Sequence, residues 1–348
     1  MDHLRINPDL YNVPWSADKY NGMPYRALGN SGLKASNIGL GTWKFGYPET
    51  GDGARVNEST AFGILDRAAE IGVTFWDTAN RYNAASGNSE RIIGKWFKMN
   101  PDQRRNIVLA TKVFGGMDGR TPNHSGLSRL NIIESVYACL KRLQTDYIDL
   151  LYFHAFDASV PIEESLSAIE DIVGRGIVRY FAVSNFTTDQ LEQYRACGKQ
   201  LSSRCKVIAV ENYFNILFGE EGNKPGVLSY CAANGLSYVA WEPLARGLLT
   251  GRYLNSDAKP GDRLYDEGEA SLYGDKALKT KIQRLYDLSK GWGFELSSMV
   301  LSYMLKIPGM GPVIPSVTSI SQLEHNAAAA GMILSNEQCR QVREVCGF

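Results

Sequence analysis

The 348-residue chain has little that would mark a partner for nucleic acid, a membrane or a metal. Its 37 basic residues are balanced by 37 acidic ones, and no long basic run occurs. That excludes the electrostatic footprint of a phosphate-backbone binder. No apolar run approaches the roughly 20 residues of a membrane-spanning helix. The opening MDHLRINPDLYNVPW has no basic segment followed by an apolar one, which argues against a secretory signal. There are only four histidines, with no H-x-H, no HExxH and no Cys/His cluster, so no metal centre is expected. The six cysteines form no C-x-x-C pair and read as reduced packing residues of a cytoplasmic protein. No G-x-S-x-G elbow is present. The glycine-rich GLGTWKFG lacks the G-x-G-x-x-G spacing of a Rossmann fingerprint.

What is present is a regular alternation. Residues 1–24 read as a polar arm, and MPYRALGNSGLKAS as a hairpin turning at GNSG. Eight short apolar runs follow: 36–43, 73–77, 106–112, 147–154, 178–184, 206–212, 236–242 and 311–316. They are nearly continuous, as strands covered on both faces should be. Amphipathic stretches lie between them, among them ESTAFGILDRAAEIG, NIIESVYACLKRLQT and PIEESLSAIEDIVGRG. Eight strands alternating with helices predict an α/β protein with a (β/α)8 TIM barrel over 25–348, an N-terminal hairpin and a C-terminal helical tail. A doubly wound sheet is the alternative, disfavoured by the missing fingerprint. The surplus over the roughly 250 residues of a bare barrel falls in the arm, loops 113–130 and 252–275, and the tail.

Three consecutive runs, the second to the fourth, end on groups that can bind or release a proton: Asp77 in VTFWD, Lys112 in ATK and His154 in YFH. Tyr82 follows Asp77 in a polar loop. Each alone has a commoner role, as a cap, a solvated cation or a hydrogen-bonded core histidine. In a barrel, however, the C-terminal strand ends share one mouth, and the four together form a proton-transfer set. A phenol titrates near pH 10, and a neighbouring ammonium is expected to lower that value. Glu211 and Glu242, ending runs six and seven, could form a glycosidase-like carboxylate pair, but that leaves Tyr82 and Lys112 unexplained.

DTANRY, ATK, the histidine of YFHAFD, AVSNF, EPLARGLLTG and VIPSVTSISQLEHN follow one another as in the aldo-keto reductases. From about Tyr25 to Ala330 the chain resembles that family, and most the bacterial branch related to potassium-channel β-subunits. The resemblance implies hydride transfer between a nicotinamide cofactor, NADP(H) or NAD(H), and a small carbonyl or alcohol substrate. Tyr82 would be the proton donor, tuned by Asp77 and Lys112, with His154 placing the substrate. A channel-type regulatory subunit with little turnover is the alternative, and the arm would then meet the partner. It further implies that Gly41, Thr42 and Trp43 lie under the nicotinamide, and that Ser184 and Asn185 hold its carboxamide. Pro243, Leu244, Ala245, Gly247 and Leu249 would wrap the pyrophosphate, and Gln322 and Asn326 would meet the adenine.

Three departures stand out. Glu211 in VENYFN takes the place of a carboxamide-binding Gln, unless it pairs with a nearby cation. Trp241 and Glu242 in AWEPL replace Tyr and Ser, and Trp241 would stack on the nicotinamide or simply pack. Ser316 and Thr318 in IPSVT stand where an arginine often grips the 2′-phosphate. Trp43, Phe45, Tyr47 and Phe156 are the expected substrate pocket. Polar Arg81, Asn83 and Asn123 beside these rings would suit a sugar. Oligomeric state has no signature in the sequence.

Overall fold

The computed structural model describes residues 18–117, 119–254, 256–269 and 274–347. A three-stranded antiparallel sheet comes first, from β1 (Lys19–Tyr20), β2 (Met23–Ala27) and β3 (Lys34–Ser36). The end of the expected arm is therefore paired structure, while residues 1–17 lie outside the described residues. Eight parallel strands follow: β4 (Leu40–Gly41), β5 (Phe75–Asp77), β6 (Val108–Val113), β7 (Ile148–Phe153), β8 (Val178–Ser184), β9 (Val207–Asn215), β11 (Ser237–Trp241) and β12 (Met310–Ile314). The short β10 (Gly219–Glu220) folds back on the end of β9. Neighbours pair in sequence order from β4 to β12, and parallel bridges Ile38↔Val313 and Gly41↔Ser316 join the last strand to the first. The result is the (β/α)8 barrel that the alternation predicts.

The first strand is shorter than expected, because most of 36–43 is spent on this closure. Gly39 N donates to Val313 O at 2.9 Å and Gly41 N to Pro315 O at 3.2 Å. A Cβ on Gly41 would stand 2.8 Å from Ser316 Oγ, so the seam is too close for a side chain there.

Helices α1 (Glu58–Glu70), α2 (Asn88–Met99), α3 (Arg129–Leu143), α4 (Ile162–Gly174), α5 (Thr188–Leu201), α6 (Val227–Asn234), α7 (Lys276–Gly291), α8 (Leu296–Met304) and α9 (Ile320–Ala328) cover the barrel, and α10 (Asn336–Cys346) is the tail. Their apolar faces and the outward strand residues form the larger core. Among the described residues no helix is long and apolar enough to cross a membrane. The smaller core fills the barrel itself, where Phe75, Ala110, Leu150, Ala182, Ala209 and Val239 pack with Leu28 and Ala35 of the hairpin. The hairpin closes the N-terminal end: Gly29 N donates to Ser237 Oγ and Asn30 N to Gly235 O, both at 2.8 Å. Among the described residues the hairpin thus covers this end, which leaves the C-terminal strand ends as the place for a site.

Candidate active site

Side chains alternate across a strand, so the residue two beyond each interior apolar one faces the same way, one layer nearer the mouth. From Phe75, Ala110, Leu150, Ala209 and Val239 this step leads to Asp77, Lys112, Tyr152, Glu211 and Trp241. His154 lies one step further on than Tyr152. Strand register alone thus gathers acid, ammonium and a second carboxylate at one level, with the imidazole one layer above.

Lys112 is the hub and has no exposed surface. Its Nζ lies 2.5 Å from Asp77 Oδ1, 2.9 Å from Tyr82 Oη and 3.1 Å from Thr78 O. Glu211 Oε1 is also 3.1 Å from it. Tyr82 accepts from the ammonium and points its own O–H at Asp77 Oδ1, 3.3 Å away. The His154 ring meets Tyr82 edge-on, with centroids 6.2 Å apart. Thr42 lies below, its hydroxyl donating to Asp77 O at 2.8 Å.

Tyr82 is held by strained backbone. Asn83, Ala84 and Ala85 all have left-handed φ, between 54° and 60°. Each such residue costs about 1–2 kcal/mol, and strain of this kind persists only where surroundings enforce it. Here Asn83 Nδ2 donates to Phe45 O at 2.5 Å, while Asp52 accepts from Tyr47 N and Asn88 Nδ2.

The electrostatics differ from the expectation for Tyr82. Burial raises its phenol above the ordinary range; Lys112 draws it back only in part, and Asp77 and Glu211 push it up further. Tyr82 is thus held as the neutral, proton-bearing phenol. Burial opposes the charge of Lys112, but Asp77, Glu211 and Tyr82 outweigh it and hold the ammonium protonated. Burial, Lys112 and Arg81 push His154 down to about 3, so it is neutral at any working pH. Burial and the neighbouring Asp77 raise Glu211 well above the carboxylate range, against the pull of Lys112.

Several other expected site residues are engaged differently. The Glu211 carboxyl is directed at Lys112 instead of standing free for a carboxamide, because β9 brings it level with Asp77. Phe45 is fully buried in the larger core and has no face for a substrate. Tyr47 turns outward: its hydroxyl donates to Glu58 and accepts from Lys95 at 2.8 Å. Asn83 is buried and spends an N–H on Phe45 O. Phe156 is half-buried, its ring against Phe186 and Tyr194. Ser184 donates to Glu211 O at 2.8 Å, and Asn185, at φ 61°, donates to His154 O at 2.9 Å. Gln322 Oε1 accepts from Thr318 N at 2.9 Å and from its hydroxyl at 3.2 Å. Ser319 caps α9, Asn326 is buried, and Ser316 and Thr318 are exposed.

The rest of the mouth combines an aromatic ring, a left-handed turn and several ion pairs. Trp241 is half-buried, with Tyr213 edge-on at 5.1 Å. After it Ala245, Arg246 and Gly247 are all left-handed, and Ala245 and Leu249 are buried. That leaves mainly backbone to meet a ligand at this turn, in the manner of an anion-binding nest. Lys44 Nζ stands 3.6 Å from the Trp43 ring centre, and the Arg263 guanidinium lies 4.7 Å from it. Arg246 and Arg263 both bind Glu242. Lys44, Arg246 and Arg263 are each paired with Glu242, Glu267 or Glu269, so the left-handed turn and the flat Trp241 ring are what fit a nicotinamide dinucleotide here. Of the residues that sequence reasoning missed, Tyr152 was within reach, two residues before His154 on the same strand face. Lys44 and Arg263 had no signal, since loop packing alone brings them to Trp43.

The sequence profile described as "Aldo/keto reductase family" matches residues 37–346. The chain is 31% identical over 315 residues to a "Probable voltage-gated potassium channel subunit beta" of Arabidopsis thaliana, covering 89% of this chain and 92% of that one. It is 33% identical over 330 residues to the "Uncharacterized oxidoreductase YrpG" of Bacillus subtilis, with 93% and 96% covered. To the "Versiconal hemiacetal acetate reductase" of Aspergillus parasiticus it is 29% identical over 343 residues, with 92% and 96% covered. The barrel, the residues grouped at its mouth and a profile match over almost the whole chain agree: this protein belongs to the aldo/keto reductase family.

Proposed function

We propose that the chain is an NAD(P)-dependent oxidoreductase that reduces a small aldehyde, ketone or sugar carbonyl, with Tyr82 as the proton donor. The observation that carries this reading is the buried Lys112 ammonium, 2.9 Å from Tyr82 Oη and 2.5 Å from Asp77. When bound, the nicotinamide cofactor supplies the hydride. Tyr82 gives its phenolic proton to the carbonyl oxygen, and Lys112 stabilises the phenolate left behind. Neutral His154 holds the same oxygen by a hydrogen bond, and Trp43 and Phe156 enclose the substrate. Tyr82 rests protonated, the form needed to act as the acid in reduction. Absorbance of reduced nicotinamide, followed against a panel of aldehydes, ketones and sugars, tests the reading. No turnover with any of them, together with tight cofactor binding, would favour the regulatory role of the channel-subunit relatives.

Cofactor choice follows from the 2′-phosphate position. Ser316 and Thr318 offer hydroxyls where arginine would offer a charged planar fork. Charge-assisted hydrogen bonds contribute roughly 1.5–3 kcal/mol against about 1 for neutral ones. NADP and NAD are therefore expected to bind with weak discrimination, although the N-terminus of α9 offers some N–H groups to a phosphate. Thr318→Arg should shift the affinity ratio toward NADP by about a decade, some 1.4 kcal/mol, as read by titrating both cofactors. Strong wild-type selectivity that the substitution leaves unaltered would place the phosphate on other cations, Arg263 first.

A further inference from the structure

The surroundings of Glu211 are unusual. The residue is 2% exposed. Its strand neighbours Ser184 and Val239 bring no charge. The groups that face it come from three other strands or the loops after them: Asp77 and Tyr82, Lys112, and Tyr152. Tyr152 is wholly buried, and its hydroxyl has no hydrogen-bond partner among the described residues. The same is true of Glu211 Oε2 and Asp77 Oδ2.

Two buried carboxyl groups therefore share one ammonium. If both were ionised, the cluster would hold a net negative charge in a buried site, a state of higher energy. At rest, one carboxyl therefore carries a proton. Asp77 lies closer to the ammonium, at 2.5 Å against 3.1 Å, so Asp77 keeps the charge and Glu211 keeps the proton. A glutamine at this position could not hold an exchangeable acid proton.

We propose that Glu211 is a built-in proton store that recharges Tyr82 through Lys112. The proposal rests on the oxidoreductase reading above. In reduction the Tyr82 O–H bond breaks and its proton goes to the carbonyl oxygen as the carbon receives the hydride. A Lys112 N–H proton then moves 2.9 Å to the phenolate. The Glu211 O–H proton restores the ammonium across 3.1 Å. Glu211 is left as a carboxylate, beside an ammonium that stabilises it, and takes a solvent proton after product leaves. Hydride transfer and proton uptake from solution are thereby separated in time.

Glu211→Gln is the test; the amide has the shape and volume of the carboxyl, so the packing around β9 is kept. The first measurement needs no turnover: an infrared difference spectrum of wild type minus Glu211→Gln at pH 7, in H2O and in D2O. A protonated-carboxyl C=O band that shifts in D2O is expected in wild type and lost in the variant. Subtraction removes other buried acids such as Glu242. Tyr82→Phe should retain the band, which separates failure of the store from failure of the catalytic assignment. The second measurement is stopped flow with reduced cofactor, carbonyl and a pH indicator. Wild type should oxidise one equivalent of cofactor before proton uptake, whereas in Glu211→Gln the two should coincide. Absence of the band, or identical timing in the two proteins, would overturn the proposal.

Discussion

Tyr82→Phe is expected to bind the cofactor as wild type does and to lose about 10²–10⁴ of kcat, the range for a positioned general acid. Phenylalanine keeps the ring, so the edge contact with His154 and the packing of the mouth persist. Lys112 loses one hydrogen-bond acceptor but keeps Asp77, Thr78 O and Glu211 around its Nζ. The fold should therefore hold and the loss should fall on the chemical step. His154 cannot replace the acid, because burial and two nearby cations push it down to about 3. For the same reason the pH profile of kcat should show no limb near the ordinary histidine value of about 6.5. Steady-state rates with the best carbonyl found, beside a fluorescence titration of cofactor, make the comparison. Turnover near wild type would remove Tyr82 from the chemistry.

The parts of this molecule that were legible in the sequence are those set by local rules. Strand order and the barrel followed from eight apolar runs. The placing of Asp77, Lys112 and His154 followed from where those runs stop. The contacts of Glu211 were not legible, because they depend on how far β9 advances relative to β5 and β6, a register that no single strand encodes. The burial of Phe45 was not legible for a related reason. It sits four residues beyond Gly41, but barrel closure and the bonds of Asn83 and Asp52 turn the chain so that its ring enters the core. The downward pull of Lys112 on the Tyr82 phenol was legible in the motif, while the burial that outweighs it and the second carboxylate were not. What local rules leave out concentrates where function overrides local preference, as in the left-handed run after Tyr82.

Lys112→Met should be the most destabilising single change at this site, costing about 3–5 kcal/mol, the usual consequence of breaking a buried ion pair from one side. Methionine fills similar volume, so the cost comes from charge and not from a cavity. With the ammonium gone, Asp77 Oδ1 keeps only the long contact to Tyr82, and Oδ2 has none among the described residues. The deficit should be largest at neutral pH and should shrink on acidification toward about pH 4, where carboxyl groups of the unfolded chain also take up protons. The two carboxyls should differ as suppressors. If Asp77 carries the charge and Glu211 the proton, then adding Asp77→Asn to Lys112→Met removes the unpaired charge and restores most of the stability. Adding Glu211→Gln exchanges one neutral group for another and restores little. Urea unfolding of the single and double variants at pH 7 measures both. Equal rescue by the two substitutions would mean that the negative charge is shared between Asp77 and Glu211, and the order of proton transfer through Lys112 would then have to be redrawn.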